Sequence, residues 1–580
     1  MDIDTTAPTT KTTDADGITT TVVNGIRTVL APRSGPLTAG LLFRVGRADE
    51  TLATSGITHL VEHLALHHHG LGDLHYNGAT ALTYTHFHVH GTPADVVAYL
   101  NGVCAALHDL PMDRLDTEKE ILRTEAAGSG SGPVQASALW RYGSRSFGLA
   151  GYAELGLHGI TADDVRAWAR TRFTAENAVL WITGDTVPEG LDLTLPTGEW
   201  HPTPEATSAL PTTPAWFPGE DGALVLTSVL PRSTAASLFA DVLGKELFRA
   251  LRQKGGYSYT AAAEYTPRDT DSATVVAYAD ALPQKQDAMV GAFVDVLAKL
   301  RAGRIEQADL DSVRASALAR FDLPELAAAK LPAHAMNLLL RHPDLTVAEA
   351  KAELEAVTVS DLHQVAEAVW ADALVQVPGR GLDWAGLAAA PAESAEVVGG
   401  LRHPAVADSG GLLRLAEDGV SQIAPGRRAT VRYAECSLMQ VFPDGARHLI
   451  GHDGFTVAVE PTLYHRITPA ELATIDAAVP ASVVVRMPPR EPSRIPRPAE
   501  PRPAAAPAVR SVWFTALLWV LGLPGLLIGG SVLLMTLAVS DDHYRVPEDS
   551  ARQLFTWLLL AGAFLIPWGV CLNRRRQGKN

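Results

Sequence analysis

Gly56-Ile-Thr-His-Leu-Val-Glu-His-Leu-Ala-Leu66 decides the reading of this chain. Written as a helix, it places His59 and His63, four residues apart, on one face with Glu62 beside them. Ile57, Leu60, Val61 and Leu64 form an apolar face, and Thr58 or Ser55 is available to cap the start. Two imidazoles at that spacing can grip one Zn²⁺. Glu62 then sits next to the water that the ion polarises, placed to take its proton as general base. The five residues alone are a weak signal in a chain with 20 His, since a His-rich helix without metal shows the same spacing. A catalytic zinc needs a third protein ligand.

Downstream, Leu115-Asp-Thr-Glu-Lys-Glu-Ile-Leu-Arg-Thr-Glu-Ala-Ala127 reads as a second helix. Glu118 and Glu125 share one face of it, two turns apart. With these residues the chain resembles the family of insulin-degrading enzyme, pitrilysin and the mitochondrial processing peptidase. In that family an inverted zinc motif, H-x-x-E-H, is followed by a helix of the form E-x-x-x-(apolar)-x-x-E. The resemblance implies that Glu125 joins His59 and His63 as the third zinc ligand, that Glu118 supports the site, and that Glu62 is the catalytic base. The strand entry ahead of the motif also matches: Gly25–Pro32, Leu41–Gly46, then Asp49 and Glu50. The spacing departs from the pattern. The interval from His63 to Glu125 is short, as though a helix between His69 and Tyr76 were missing.

Asn77 to His90 alternates as a strand. The family resemblance makes Asn77 and Thr80 a turn that leads into an edge strand, which would bind an extended peptide by β-augmentation; Gly78 replaces the family's Ala. His86, His88 and His90 share one face and read as a solvent-facing row. Leu100 to Leu110 and Ala150 to Arg172 read as helices, and Ala178–Thr183 as a buried strand. Later, Leu251-Arg-Gln-Lys-Gly-Gly-Tyr-Ser-Tyr259 resembles the family's L-R-x-K-x-x-x-x-Y element. This implies that Arg252 and Tyr259 reach the substrate carbonyl.

With 580 residues, the chain is too long for one core. The fold class is α+β: two tandem repeats of a mixed β-sheet packed with helices, a small β-rich domain, and two C-terminal transmembrane helices. Residues 1–17 form a polar, disordered lead-in, 18–195 the first repeat and 196–222 a Pro- and Thr-rich linker. Residues 223–380 form a second repeat without the motif, and 381–411 a connector. Comparing 94–125 with 284–320 supports the duplication, since each has an apolar helix, a short turn and a charged helix. Short apolar runs split by Gly and Pro turns make 412–486 a β-rich domain with one helix, Pro469–Ala478, loosely resembling pleckstrin-homology-like modules. Residues 487–511 read as a stiff Pro- and Arg-rich linker.

Residues 512–539 and 554–572 are uncharged and long enough to span a bilayer. Arg502 and Arg510 precede them, and Arg574, Arg575, Arg576 and Lys579 follow. The loop 540–553 carries Asp541, Asp542, Glu548 and Asp549. The positive-inside rule then puts the loop outside and the tail 573–580, like the peptidase domains, in the cytoplasm. A net charge of −16 speaks against nucleic acid as a partner, and three scattered Cys imply neither a disulfide framework nor a cysteine zinc site. The expectation is a membrane-anchored zinc endopeptidase for short or unfolded peptides. The alternative is a catalytically silent homologue serving as a scaffold or peptide-binding assembly factor. Full-size members of the family carry four such repeats in one chain, so a two-repeat chain implies a homodimer, or a heterodimer with a similar chain.

Overall fold

A computed structural model describes residues 11–67, 76–128, 132–219, 222–379, 381–407 and 410–498. The first repeat runs β1 (Thr12–Thr13), β2 (Thr19–Val23), β3 (Ile26–Ala31), β4 (Leu37–Phe43), α1 (Ile57–Leu66), β5 (Tyr76–Thr80), β6 (Thr85–Gly91), α2 (Pro93–His108), α3 (Leu115–Gly128), α4 (Pro133–Tyr142), α5 (Ala162–Arg172) and β7 (Ala178–Thr183). Its sheet has the order β1-β2-β3-β7-β4-β6-β5, with β3 and β7 parallel and β4 antiparallel to both β7 and β6. The apolar faces of α1, α2 and α5 cover one side of it, around Leu41, Phe43, Leu60, Leu64, Phe87, Leu100 and Phe173.

The second repeat runs β8 (Ala215–Gly219), β9 (Ala223–Pro231), α6 (Thr234–Leu247), β10 (Ala261–Pro267), β11 (Ser272–Asp280), α7 (Gln286–Arg301), α8 (Gln307–Ala319), α9 (Leu326–Leu340), α10 (Val347–Ala356), α11 (Val359–Ala371), β12 (Leu374–Pro378) and β13 (Ala388–Ala389). Its order is β10-β11-β9-β12-β8-β13, and the first five strands repeat the order β5-β6-β4-β7-β3, including the parallel pair β12 with β8; the sixth, β13, is parallel to β8, whereas β2 is antiparallel to β3. The duplication read in sequence is therefore a duplication of topology.

The two repeats clasp each other. Helix α9 lays Ala328, Leu331, Ala335 and Leu339 on the outer face of the first sheet, against Val29, Leu42, Val179 and Trp181. Helix α4 returns the contact, placing Ala136 and Trp140 on Phe217 and Leu374 of the second sheet. Arg141 of α4 is buried there and bonds Asp372 at 3.0 Å and the Thr227 carbonyl at 2.8 Å. Each sheet thus buries its second face with a helix from the other repeat, as a two-sided apolar sheet requires.

The third part runs β14 (Leu401–Pro404), β15 (Leu412–Leu415), β16 (Gly419–Ala424), β17 (Arg427–Arg432), β18 (Cys436–Val441), β19 (Arg447–Gly451), β20 (Thr456–Val459), α12 (Pro469–Ala478) and β21 (Val484–Arg486). Two four-stranded sheets, β14-β15-β16-β17 and β20-β19-β18-β21, close on a core of Leu413, Val431, Met439, Leu449 and Ile475.

Several expectations are corrected. Residues 77–90 form a hairpin of two strands rather than one, because Leu82-Thr83 turns the chain. Residues 1–17 are not all a disordered lead-in, since β1 pairs with β2 and Asp16 accepts from Lys330 at 2.7 Å, and residues 196–222 are not all linker, since β8 lies within them and pairs with β12. Five residues with a Pro and a Gly have too little pattern to read as a strand. The β-rich part starts at β14, inside the expected connector. Within 150–172 only Ala162–Arg172 is α-helical, with 3₁₀ turns at Ser146–Gly151 and Leu155–His158 before it. Residues 487–498 are not a free linker, because Arg490 bonds Glu460 (2.8 and 2.9 Å) and Asp444 (2.8 Å) on the β-rich part. The His row does not face solvent. His86 and His88 are half-buried on the outer face of the first sheet, with His86 stacked on His88 and tilted against Trp181; only His90 is exposed. Gly40 makes room for them, because a Cβ there would lie 2.3 Å from His86 Nε2. No described helix is long and apolar enough to cross a membrane. The expected spans 512–539 and 554–572 and their flanks lie outside the described residues, as does the site of the missing helix after His69.

Candidate metal centre

Helix α1 follows Gly56, whose φ of 96° suits glycine, and neither Thr58 nor Ser55 caps it. Glu50 does so from outside the helix. Its carboxylate accepts the backbone N–H groups of Gly56 and Thr58, both at 2.9 Å. Ser55 instead bonds the Leu52 carbonyl, and the Thr58 hydroxyl accepts Trp168 Nε1 at 3.1 Å. Burial pushes the Glu50 carboxyl up to about 7, against the opposing pull of its bonds to Thr58 and Gly56.

From this anchored helix His59 and His63 point toward α3, their rings edge to face at 4.7 Å. Each Nδ1 is held by a carboxylate: His59 by Glu154 at 2.8 Å, and His63 by Glu118 at 3.3 Å. Each Nε2 lies 3.9 Å from the same Glu125 oxygen, Oε2. One donor atom from each of His59, His63 and Glu125 falls within 4.8 Å of the others. Tetrahedral zinc with bonds near 2.1 Å would hold its ligands about 3.4 Å apart, so each imidazole must close on Glu125 from 3.9 Å, and the widest pair of the set from at most 4.8 Å, movements within reach of side-chain rotation. Two imidazoles and one carboxylate are also the chemistry of an open catalytic zinc site, and the second carboxylate on each ring is the usual outer partner. The residues present therefore fit the ion.

Glu62 is buried on the same face and accepts the Thr80 hydroxyl at 2.8 Å. Burial raises its carboxyl above the ordinary range, with the neighbouring His59 and Thr80 pulling the other way. For His59, burial alone would lower the pKa, but the bond to Glu154 and the charges of Glu154, Glu62 and Glu125 raise it. Asn77 and Thr80 do not form a turn before the edge strand. They lie in β5, which is itself the edge of the sheet and runs beside α1. Gly78 is where the strand passes the base, since a Cβ there would sit 2.5 Å from Glu62 Oε1. Tyr99 of α2 holds the strand through the Asn77 carbonyl at 2.9 Å.

In the second repeat the matching helix pair, α6 and α8, carries ion pairs in place of imidazoles. Arg249, just past α6, bonds buried Asp309 at 2.8 Å and pairs with buried Glu246, which Lys299 also holds at 2.7 Å. Arg252 and Tyr259 come together in that repeat, with the guanidinium 4.8 Å over the Tyr259 ring, and Tyr259 is 79% exposed. The capping role of Glu50 and the whole of Glu154 escaped sequence reading. An acidic residue six positions before a glycine-led helix was a usable signal for Glu50. Glu154 has none, because it reaches His59 from 95 residues away.

No curated protein matches the chain in sequence. Residues 215–317 match the model of the peptidase M16 inactive domain. Among solved structures, the chain is similar to the first half of the periplasmic protease PqqL from Escherichia coli (14% identity, 65% of this chain and 95% of that one, TM-score 0.51). It is similar to a peptidase M16 inactive domain from Pseudomonas fluorescens (14%, 66% and 100%, TM-score 0.51). It is also similar to a chain of complex III2 from Candida albicans (14%, 64% and 96%, TM-score 0.52). The described chain therefore has the fold of these structures, and the match to the peptidase M16 inactive domain falls in the second copy of the repeated topology.

Proposed function

We propose that this chain is a zinc-dependent endopeptidase of the M16 type that hydrolyses short or unfolded peptides. The observation that carries the reading is the convergence of His59, His63 and Glu125 beside buried Glu62, under an open sheet edge. An extended peptide pairs with β5 and is drawn across the face of α1. Zinc, when held by His59, His63 and Glu125, supplies Lewis-acid polarisation of the scissile carbonyl and of the attacking water. Glu62 accepts the water's proton and passes it to the leaving amine. A carboxyl raised by burial suits this exchange better than an exposed one. Glu118 keeps His63 oriented.

Among the described residues of the second repeat the α6–α8 pair carries ion pairs where the first repeat has its metal set, so the contribution assigned to that copy is Arg252 and Tyr259. In the proposal these reach the substrate carbonyl of a second subunit, in a homodimer or a heterodimer with a similar chain. The apolar runs 512–539 and 554–572 anchor the protein in the cell membrane, with the peptidase repeats on the cytoplasmic side. The fold alone does not fix the activity, since it is shared by a protease and a complex III chain. The silent, peptide-binding homologue is thus the competing reading. Comparing peptides released by the wild type and by Glu62→Gln decides between them. Peptides cut only by the wild type support the enzyme, and identical peptide pools refute it.

A further inference from the structure

Two different segments of the first repeat hold the two imidazoles. His63 is oriented by Glu118 of α3. His59 is oriented by Glu154, which lies between the 3₁₀ turns Ser146–Gly151 and Leu155–His158. That segment is pressed between the entry to α1 and the β-rich part. On the inner side Gly156 N bonds Ser55 Oγ at 3.0 Å, and a Cβ on Gly156 would lie 2.5 Å from Ser55 N. On the outer side Ser144 Oγ lies 2.6 Å from Ser437 Oγ and 2.7 Å from the Gly451 carbonyl. The backbone passes so close that a Cβ on Gly143 would meet the His452 carbonyl at 2.2 Å. Leu149 is buried in one cluster with Leu52 and Ala53 from the approach to α1 and with Leu438, Ile450 and Val485 from the β-rich part.

We propose that the β-rich part is the positioning element of the metal centre. It seats residues 143–159, and Glu154, a positioning residue carried there, fixes the Nδ1–H form of His59 so that Nε2 faces Glu125. This rests on the zinc reading given above. A carboxylate on the distal nitrogen of a metal-binding His sets its tautomer and ring angle, and losing such a partner typically costs about 10–100-fold in metal affinity. Loosening the β-rich part from its seat acts on His59 and spares His63.

The test uses the full chain, with zinc affinity from chelator competition and the ring tautomers of His59 and His63 from ¹⁵N NMR of the metal-free protein. Glu154→Gln is expected to weaken zinc about 10–100-fold and to mix the tautomers of His59 alone, with Glu154→Asp recovering part of both. Ser144→Ala/Ile450→Ala, which leaves Glu154 in place but loosens the seat, is expected to shift His59 in the same direction and leave His63 unchanged. The proposal is overturned if that seat variant keeps wild-type His59 signals, or if Glu154→Gln does. Should Glu154→Gln fail to fold, the seat variant decides alone. A wild type that binds no zinc defeats the zinc reading separately, and the NMR arm still judges the positioning.

Discussion

Replacing Glu50 by Ala tests how the metal-bearing helix is anchored. The variant leaves the Gly56 and Thr58 N–H groups buried without an acceptor. At about 1–3 kcal/mol for each, the loss is about 2–6 kcal/mol. Ionised Glu50 opposes its own burial, which is why its carboxyl titrates near 7 instead of its usual 4.5. Between these values the unfolded chain has released the proton while the folded chain still holds it. Glu50 therefore destabilises the fold progressively as pH rises from about 4.5 to about 7, by about 3 kcal/mol in all. The wild type should exceed Glu50→Ala by the full 2–6 kcal/mol near pH 4.5, and the gap should close by about 3 kcal/mol at pH 8. Urea unfolding of both chains at several pH values, followed by tryptophan fluorescence, reads this. A gap that is constant with pH, or that widens on the alkaline side, would refute the assignment of Glu50 as a buried cap.

Three further outcomes follow from the packing and from the proposed dimer. Burial, then the charge of His88, lowers His86 to about 4. The unfolded chain then takes up a proton first as pH falls below about 6.5, and His86 costs up to about 3 kcal/mol by pH 4; His86→Leu should remove that share of acid sensitivity in the same unfolding series. Leu331→Ala empties a fully buried contact of α9 on the first sheet and should cost about 2–5 kcal/mol, measured as a lowered urea midpoint. Mixing Glu62→Gln chains with Arg252→Ala/Tyr259→Phe chains should restore cleavage where each alone has lost about 10²-fold or more; proven mixed dimers without recovery would place the pair outside the site.

The first repeat was legible because its signals are local and periodic. His59, Glu62, His63, Glu118 and Glu125 lie on two helices whose own spacing aligns them, and the structure brings the two His and Glu125 together. The duplication was read from the helices, and the two sheets share one order over five strands. What escaped notice depends on tertiary contact. Strand β8 is a strand only because β12 and β13 flank it. The His86 and His88 face reads as polar, yet it shares the sheet face that α9 covers. Glu154 acquires a role only when the β-rich part folds down on its segment. The edge strand was assigned to the wrong half of a hairpin, because alternation runs through Leu82-Thr83 without a Gly or Pro to mark the turn.

Metal content reads the His59–His63–Glu125 site without any substrate. The purified chain, reconstituted with zinc and dialysed, should retain about one ion per chain by elemental analysis, since the His59–His63–Glu125 set offers three ligands to one ion. Glu62→Gln should retain the same amount, and His63→Ala and Glu125→Ala should lose most of it. A wild type without zinc, or a Glu125→Ala chain that holds zinc as firmly as the wild type, would contradict the account.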